Sequence, residues 1–270
     1  MKRATCGALL GALIVIMAGS ASAQTFGTGA VRDYIPNGCG GPDLPLTIPE
    51  AAAFRNWYGM GGMTNSFGWE NTAVFGSDFR DGTDTNFGGT GTVNVYFYSG
   101  HGICQNPPVA TSPDFITVCS PFGQPNTTNI GASSRWGNDS LRFAFIDASC
   151  PMDLVSIVNQ WFPVFRGLHV AVGHSGTAVA DTLDSVDRGS QFAARTAGLG
   201  FPWNIFFPQQ SVGDAWMSVG TVDIQTGCCA VAVAAGATEA DAINRRQNEF
   251  VKSGWGNPTP NWLAWRWSCR

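Results

Sequence analysis

The sequence predicts a three-layer α/β sandwich with a mostly parallel central sheet and several disulfide bonds. Near-continuous apolar runs alternate with segments of helical periodicity, which is typical of a parallel sheet covered on both faces. The 270 residues include eight cysteines and 34 glycines but only 13% charged residues, a composition that suits a loop-rich extracellular protein. We expect one domain over residues 24–270, in which residues 24–50 form an irregular N-terminal arm.

The N-terminus carries the features of a secretory signal peptide. Lys2 and Arg3 precede an apolar run over residues 7–19, and Ala21-Ser22-Ala23 matches the small-residue pattern before signal-peptidase cleavage. The apolar run is shorter than the roughly 20 residues of a membrane-spanning helix, although a membrane anchor is the alternative. A signal peptide over residues 1–23 predicts a secreted or periplasmic protein with no membrane contact after cleavage.

The charge pattern argues against several classes of partner. Residues 24–270 contain 19 acidic side chains and 13 basic ones, because Lys2 and Arg3 are two of the 15 in the chain. Lys252 is their only lysine, and no basic cluster occurs, so nucleic acid is not an expected partner. No glycine loop fits a nucleotide fingerprint and no tight ligand spacing predicts a metal site, so we expect no cofactor or metal. We expect a monomer.

Periodicity and turn residues give the order of the secondary structure. Apolar strands are predicted over residues 93–98, 141–146, 168–173 and 228–234. Helices are predicted over residues 51–58, 151–162, 176–197, 211–219 and 238–251, the last from the capping pair Thr238 and Asp241. The segments 59–91 and 103–138 are predicted to be loops.

Polar side chains follow three of these strands directly. His101 follows the first strand and Cys150 follows the second. Ligands bind beyond the carboxyl ends of parallel strands, so this rule selects both residues as site candidates. Asp147 and His174 lie at strand ends as possible site lining, Asp147 as a loop-orienting carboxylate. We expect His169 and His174 to be chiefly structural.

The cysteine count suggests one unpaired thiol. Without Cys6 in the signal peptide, seven cysteines remain, and an exported protein should form disulfides from most of them. Cys104 and Cys119 flank one proline-rich loop and are expected to join. Cys39 and Cys269 are the natural partners for the neighbours Cys228 and Cys229. By elimination, Cys150 is predicted to be free.

A free Cys150 beside His101 would form a nucleophile and base. Pro151 suits the first turn of a helix, and a helix directly after Cys150 would favour its thiolate. His101 would accept the thiol proton. The N–H groups of Gly102 and Cys150 are the expected donors to an oxyanion.

The blocks VNVYFYSGHG (residues 93–102) and LRFAFIDASC (residues 141–150), with His101 and Cys150 separated by 49 residues, resemble the caspase, legumain, gingipain and clostripain superfamily of cysteine peptidases. The blocks SDFRDGTDTNFGG and GLHVAVG are similar to exported bacterial proteins related to that superfamily. The resemblance implies a caspase-like sandwich, a His101–Cys150 dyad and a peptide or protein substrate. Ala148 stands where members specific for basic residues often carry an acid, and Pro151-Met152 departs from the usual polar or small residues after the nucleophile.

Two other functions remain open at this point. The chain could be a non-catalytic exported binding or structural protein on the same scaffold. The tryptophan-rich end could bind carbohydrate or peptide, or could simply close a core. Its tryptophans are Trp255, Trp262, Trp265 and Trp267.

Overall fold

The structure is a computed structural model that describes residues 24–39, 41–80, 89–104, 115–118, 127–178, 183–198, 208–220 and 228–269. The predicted signal peptide and Cys119 lie outside these ranges. Within them, no helix has both the length and the apolar character needed to cross a membrane.

A seven-stranded sheet forms the centre of the molecule, in the order β10-β9-β8-β7-β3-β1-β2. The strands β2, β1, β3, β7 and β8 are parallel, whereas β9 is antiparallel to both β8 and β10. A small antiparallel sheet contains β4, β5 and β6. The strands are β1 (Thr25–Ala30), β2 (Thr64–Glu70), β3 (Val95–Ser99), β4 (Gly102–Ile103), β5 (Phe115–Thr117), β6 (Thr127–Asn129), β7 (Phe143–Asp147), β8 (Val170–Ser175), β9 (Cys229–Gly236) and β10 (Trp262–Cys269). The helices are α1 (Thr47–Met60), α2 (Ile157–Trp161), α3 (Leu183–Ala197), α4 (Val212–Val219) and α5 (Glu239–Asn248).

Each face of the sheet is covered by a separate hydrophobic core, which confirms the predicted three-layer α/β architecture. On one face, apolar side chains of α1, α3 and α4 pack against β1, β3, β7, β8 and β9. On the other face, α2, the small sheet and the adjoining turns cover alternate residues of the same strands. Burial on both faces explains why these strands are nearly continuous apolar runs in the sequence.

The predicted irregular arm (residues 24–50) contains the strand β1, and the predicted loop (residues 59–91) contains the strand β2. The loop prediction missed β2 because Asn65 and Gly68 are of residue types depleted in strands. The arm prediction missed β1 because this strand is rich in glycine, which normally weakens a strand. Here the glycines are required: a Cβ at Gly27 would overlap the Phe67 ring, and one at Gly29 would overlap the Tyr96 hydroxyl. Aromatic rings of the neighbouring strands therefore occupy the space above β1.

The helix predicted to begin directly after Cys150 is absent. Residues 151–156 form turns, and the short helix α2 begins only at Ile157. The N–H groups of Cys150 and Met152 donate to the carbonyls of Gly176 and His174, at 3.0 and 3.1 Å. This segment therefore lies along the end of β8, and no helix dipole acts directly on Cys150.

In the tryptophan-rich C-terminal segment, Trp262, Trp265 and Trp267 lie on the edge strand β10. Cys229 and Cys269 face each other in the β9–β10 ladder and form a disulfide, as two of the predicted candidates. Cys39 is also disulfide-bonded. The expected disulfide at Cys228 is wrong, because this buried thiol is free and its neighbour Cys229 reaches the partner strand.

We expect that replacing both Cys229 and Cys269 with serine lowers the free energy of unfolding by about 2–5 kcal/mol, because the disulfide closes a loop of sequence separation 40. Urea unfolding followed by tryptophan fluorescence measures this change. The control Cys228→Ala, which breaks no disulfide, should cost about 1 kcal/mol. Equal losses in the two variants would contradict a stabilising role for the disulfide.

Candidate active site

The ends of β3 and β7 meet at one edge of the sheet, as the sequence predicted for His101 and Cys150. The two strands are parallel neighbours, and the N–H of Gly100 donates to the Asp147 carbonyl at 3.2 Å. A Cβ at Gly102 would overlap the Ser149 carbonyl. Because this close approach requires glycine, the backbone after His101 lies directly against the backbone before Cys150.

The imidazole of His101 is held by the N-terminal segment. Its Nε2 lies 2.8 Å from the Pro42 carbonyl oxygen. A carbonyl can only accept a hydrogen bond, so Nε2 carries the proton and Nδ1 carries the lone pair of the neutral ring. A base oriented in this way by a third group is the arrangement that activates a nucleophile. Pro42 acts through its backbone, so no side-chain motif could have indicated it.

Tyr34 also contacts His101 through both its ring and its hydroxyl. Its ring centroid lies 4.5 Å from that of His101, and its hydroxyl accepts a hydrogen bond from the backbone N–H of His101 at 2.8 Å. The same hydroxyl donates to the Thr117 carbonyl at 3.3 Å. Burial raises the pKa of Tyr34 to about 12, so the hydroxyl stays neutral near pH 7.

Cys150 forms a disulfide with Cys104, so the predicted free thiol and the predicted Cys104–Cys119 bond are both wrong. Cys104 follows Gly102 by two residues, and the contact of Gly102 with Ser149 brings the two sulfurs into reach. Cys150 is 2% exposed and adopts a left-handed backbone with φ of 57°. That turn directs its N–H to the Gly176 carbonyl, so this predicted oxyanion donor is already engaged.

The free thiol among the described residues is Cys228 instead. It is 1% exposed, and burial raises its pKa to about 11. A thiol with so high a pKa is protonated near pH 7 and is a poor nucleophile. Cys228 therefore does not replace Cys150 as the candidate.

A fully buried charged cluster lies beneath the strand ends. Arg188 of α3 binds both carboxylate oxygens of Asp147, at 2.8 and 2.9 Å, and His174 Nε2 lies 3.1 Å from the same group. Burial by itself would raise the pKa of Asp147, but Arg188 and His174 hold it well below its ordinary value. Burial lowers the pKa of His174, which favours the neutral ring. Asp147 and His174 are 0% exposed, so neither lines an open surface as the sequence suggested.

Glu50 of α1 completes this cluster. Its Oε2 accepts a hydrogen bond from Ser99 at 2.5 Å, and its side chain is 0% exposed. Burial and the neighbouring Asp147 raise the pKa of Glu50 well above its ordinary value. The raised pKa favours the protonated form of Glu50, which lies near Asp147 without adding a second negative charge to the cluster. Three strand ends and two helices are thus joined below the candidate site.

Side chains that commonly ligate metals occur across the part of the chain that the structure describes. No group of three or more histidine, cysteine, aspartate or glutamate side chains there is arranged to hold an ion.

We expect Glu50→Gln to remove a pH dependence of stability. Folding raises the pKa of Glu50, so above its ordinary value of 4.5 the folded state keeps a proton that the unfolded state has lost. Stability conferred by this group therefore falls as pH rises above that ordinary value and is lost once the pH passes the raised pKa of the folded state. Asp147 does not contribute to this slope. Folding lowers its pKa, so its ionisation changes stability only at pH values below its ordinary pKa of 3.8.

Urea unfolding of wild type and Glu50→Gln at several pH values measures this effect. The glutamine should match the wild type near pH 5 and exceed it at higher pH, since it can accept from Ser99 and never carries a negative charge beside Asp147. Glu70→Gln, at a partly exposed position, should leave the wild-type slope unchanged. A large loss of stability in Glu50→Gln at the lower pH would indicate that Glu50 is ionised.

Comparison with known proteins places the chain in a family without indicating an activity. Residues 30–269 match the family model described as "Domain of unknown function (DUF6345)". No curated protein matches the chain. Among solved structures, it is similar to the Arg-specific cysteine proteinase gingipain R (RGPB), with a TM-score of 0.41, 13% sequence identity and coverage of 67% of this chain. The chain spans 38% of the length of that gingipain chain.

Proposed function

The chain belongs to the DUF6345 family, and we propose that it is an exported cysteine hydrolase whose nucleophile, Cys150, is released by reduction. The observation that carries the proposal is the orientation of His101. Its Nε2 donates to the Pro42 carbonyl, which leaves Nδ1 as the basic nitrogen. His101 follows the end of β3, where the backbone of Gly102 lies against Ser149, the residue before Cys150. We further propose peptides or proteins as substrates, as the resemblance of the two strand-end blocks implies.

The first step of the proposed mechanism is reduction of the Cys104–Cys150 disulfide. Two molecules of a thiol reductant supply two electrons and two protons, which yields two cysteine thiols and one disulfide of the reductant. Cys104 then no longer restrains Cys150. The disulfide thus keeps the nucleophile inactive in an oxidising compartment.

Hydrolysis then follows the chemistry of a cysteine–histidine pair. His101 Nδ1 accepts the thiol proton, and the Cys150 thiolate attacks the substrate carbonyl carbon. The imidazolium returns the proton to the leaving amine, and water hydrolyses the thioester with His101 as base. The Gly102 N–H is the proposed oxyanion donor, and that of Cys150 joins it only after leaving the Gly176 carbonyl.

The second candidate function is that of a non-catalytic exported binding or structural protein. The disulfide at Cys150 favours it, because a permanently bonded sulfur cannot attack a carbonyl. The two functions differ in one property, which is the reactivity of Cys150 once Cys104 no longer holds it.

We expect Cys150 to become a reactive thiol when Cys104 is removed. Iodoacetamide labelling followed by peptide mass spectrometry should leave Cys150 unlabelled in the unreduced wild type, but label it after mild reduction and in Cys104→Ser. In Cys104→Ser, labelling should begin well below the ordinary cysteine pKa of about 8.5, because His101 stabilises the thiolate. Adding His101→Asn to Cys104→Ser should raise the pH at which labelling begins to about 8.5. Identical profiles with and without His101, together with no cleavage of a mixed peptide library, would reject the hydrolase.

We expect Tyr34→Phe to raise the pH at which the released Cys150 becomes reactive, by loosening His101. The variant removes the hydroxyl that accepts a hydrogen bond from the backbone N–H of His101, while the aromatic ring remains. Tyr98→Phe is the matched control, because the Tyr98 hydroxyl is equally buried and donates to the same Thr117 carbonyl at 2.6 Å. Labelling profiles in the Cys104→Ser background provide the measurement. A similar shift in both variants would indicate a general packing effect instead of support for His101.

A further inference from the structure

A cavity of about 620 Å³ opens along the free edge of β10. Its size falls within the usual range of small-molecule sites, about 300–1,000 Å³. Aromatic and aliphatic side chains form most of its walls, and residues at α2 and α5 line it together with β10. The residues that decide its chemistry are Trp262, Trp265, Trp267, Glu239, Arg246 and Asn261.

Two of the tryptophans are unusually open to solvent. Trp262 is 50% exposed and Trp267 is 53% exposed, although tryptophan is highly buried on average. Trp265 packs partly against the core on the α2 side of the sheet. Because side chains alternate along a strand, Trp262 lies on the opposite face from Trp265 and Trp267. The cavity therefore extends around the edge of the sheet and presents aromatic surface from both faces.

The cavity also contains hydrogen-bonding groups of both kinds. The Glu239 carboxylate accepts, the Asn261 amide donates and accepts, and the Arg246 guanidinium donates. Arg246 Nε is buried and has no hydrogen-bond partner within the described residues. A buried donor without a partner is costly, so an acceptor from a ligand would be favourable there.

Arg246 also argues against an added β-strand. Its Nη1 donates to the Trp265 carbonyl at 2.8 Å and so occupies an acceptor on the edge of β10. An extended peptide, or β10 of a second copy, would need that carbonyl for its own ladder. The disulfide between Cys229 and Cys269 fixes β10 to β9, so the aromatic surface is held in place without a partner.

We propose that this cavity is a saccharide-binding site. A sugar ring has a face of C–H groups, which packs on an indole ring, and a perimeter of hydroxyls, which can both donate and accept. Tryptophan surface next to a carboxylate, an amide and an unsatisfied guanidinium N–H matches both features. The site is separate from the His101–Cys150 region, because β10 lies three strands from β7, roughly 14 Å at the usual strand spacing. The inference therefore does not depend on the proposed hydrolase.

The test is binding of the purified, unreduced protein to an array of neutral, amino and acidic oligosaccharides. We expect retention on at least one class, and affinity for that oligosaccharide at least about tenfold weaker in Trp262→Ala and Trp267→Ala, as for removal of an aromatic anchor. Arg246→Met should also weaken binding. Trp69→Ala is the matched control, because this partly exposed tryptophan lies on the opposite edge strand β2 and should leave affinity unchanged. Circular dichroism of each variant confirms folding.

Several results would overturn the saccharide site. These are retention on no oligosaccharide, or binding that survives both cavity substitutions. Binding of a proline-rich peptide library without sugar binding would assign the cavity to peptides. If analytical ultracentrifugation shows a dimer and the tryptophan substitutions abolish it, the cavity would instead be an interface with a second copy of the chain. The array uses the oxidised protein, in which Cys150 is bonded to Cys104, so its result is distinct from any failure of the proposed hydrolase.

Discussion

The buried ion pair between Asp147 and Arg188 is the interaction on which the candidate site depends. An isolated carboxylate in the core would be too costly, so Asp147 at the end of β7 requires the guanidinium of α3. His174 from β8 contacts the same carboxylate, and Glu50 from α1 accepts a hydrogen bond from Ser99 at the end of β3. Elements distant in sequence are thus fixed to one edge of the sheet. The partly buried His101 lies two residues beyond Ser99, which the cluster holds through Glu50.

The sequence predicted the layers of the fold better than their edges. Strands buried on both faces are apolar runs that periodicity detects, and β3, β7, β8 and β9 were therefore found. β1 was missed because Gly27 and Gly29 are selected by rings from other strands, which is a tertiary constraint. β10 was missed because its alternating tryptophans were interpreted as a binding platform or core closure.

The candidate site shows the same division between local and tertiary information. Strand ends followed by His101 and Cys150 were recognisable because the fold brings parallel carboxyl ends together. The partners of these residues were not, since Pro42 contributes a backbone carbonyl and Arg188 comes from a helix far along the chain. Counting cysteines identified Cys229 and Cys269 as disulfide candidates, but elimination failed for Cys150. The close backbone approach that joins it to Cys104 depends on a glycine contact that spacing does not reveal.

Two disulfides among the described residues have a further consequence if a protease cuts the chain. Cys104–Cys150 closes a loop of sequence separation 46 and Cys229–Cys269 one of separation 40. A single cut inside either loop leaves both fragments covalently attached. Nicked molecules would therefore keep their mass under non-reducing conditions and separate only when reduced.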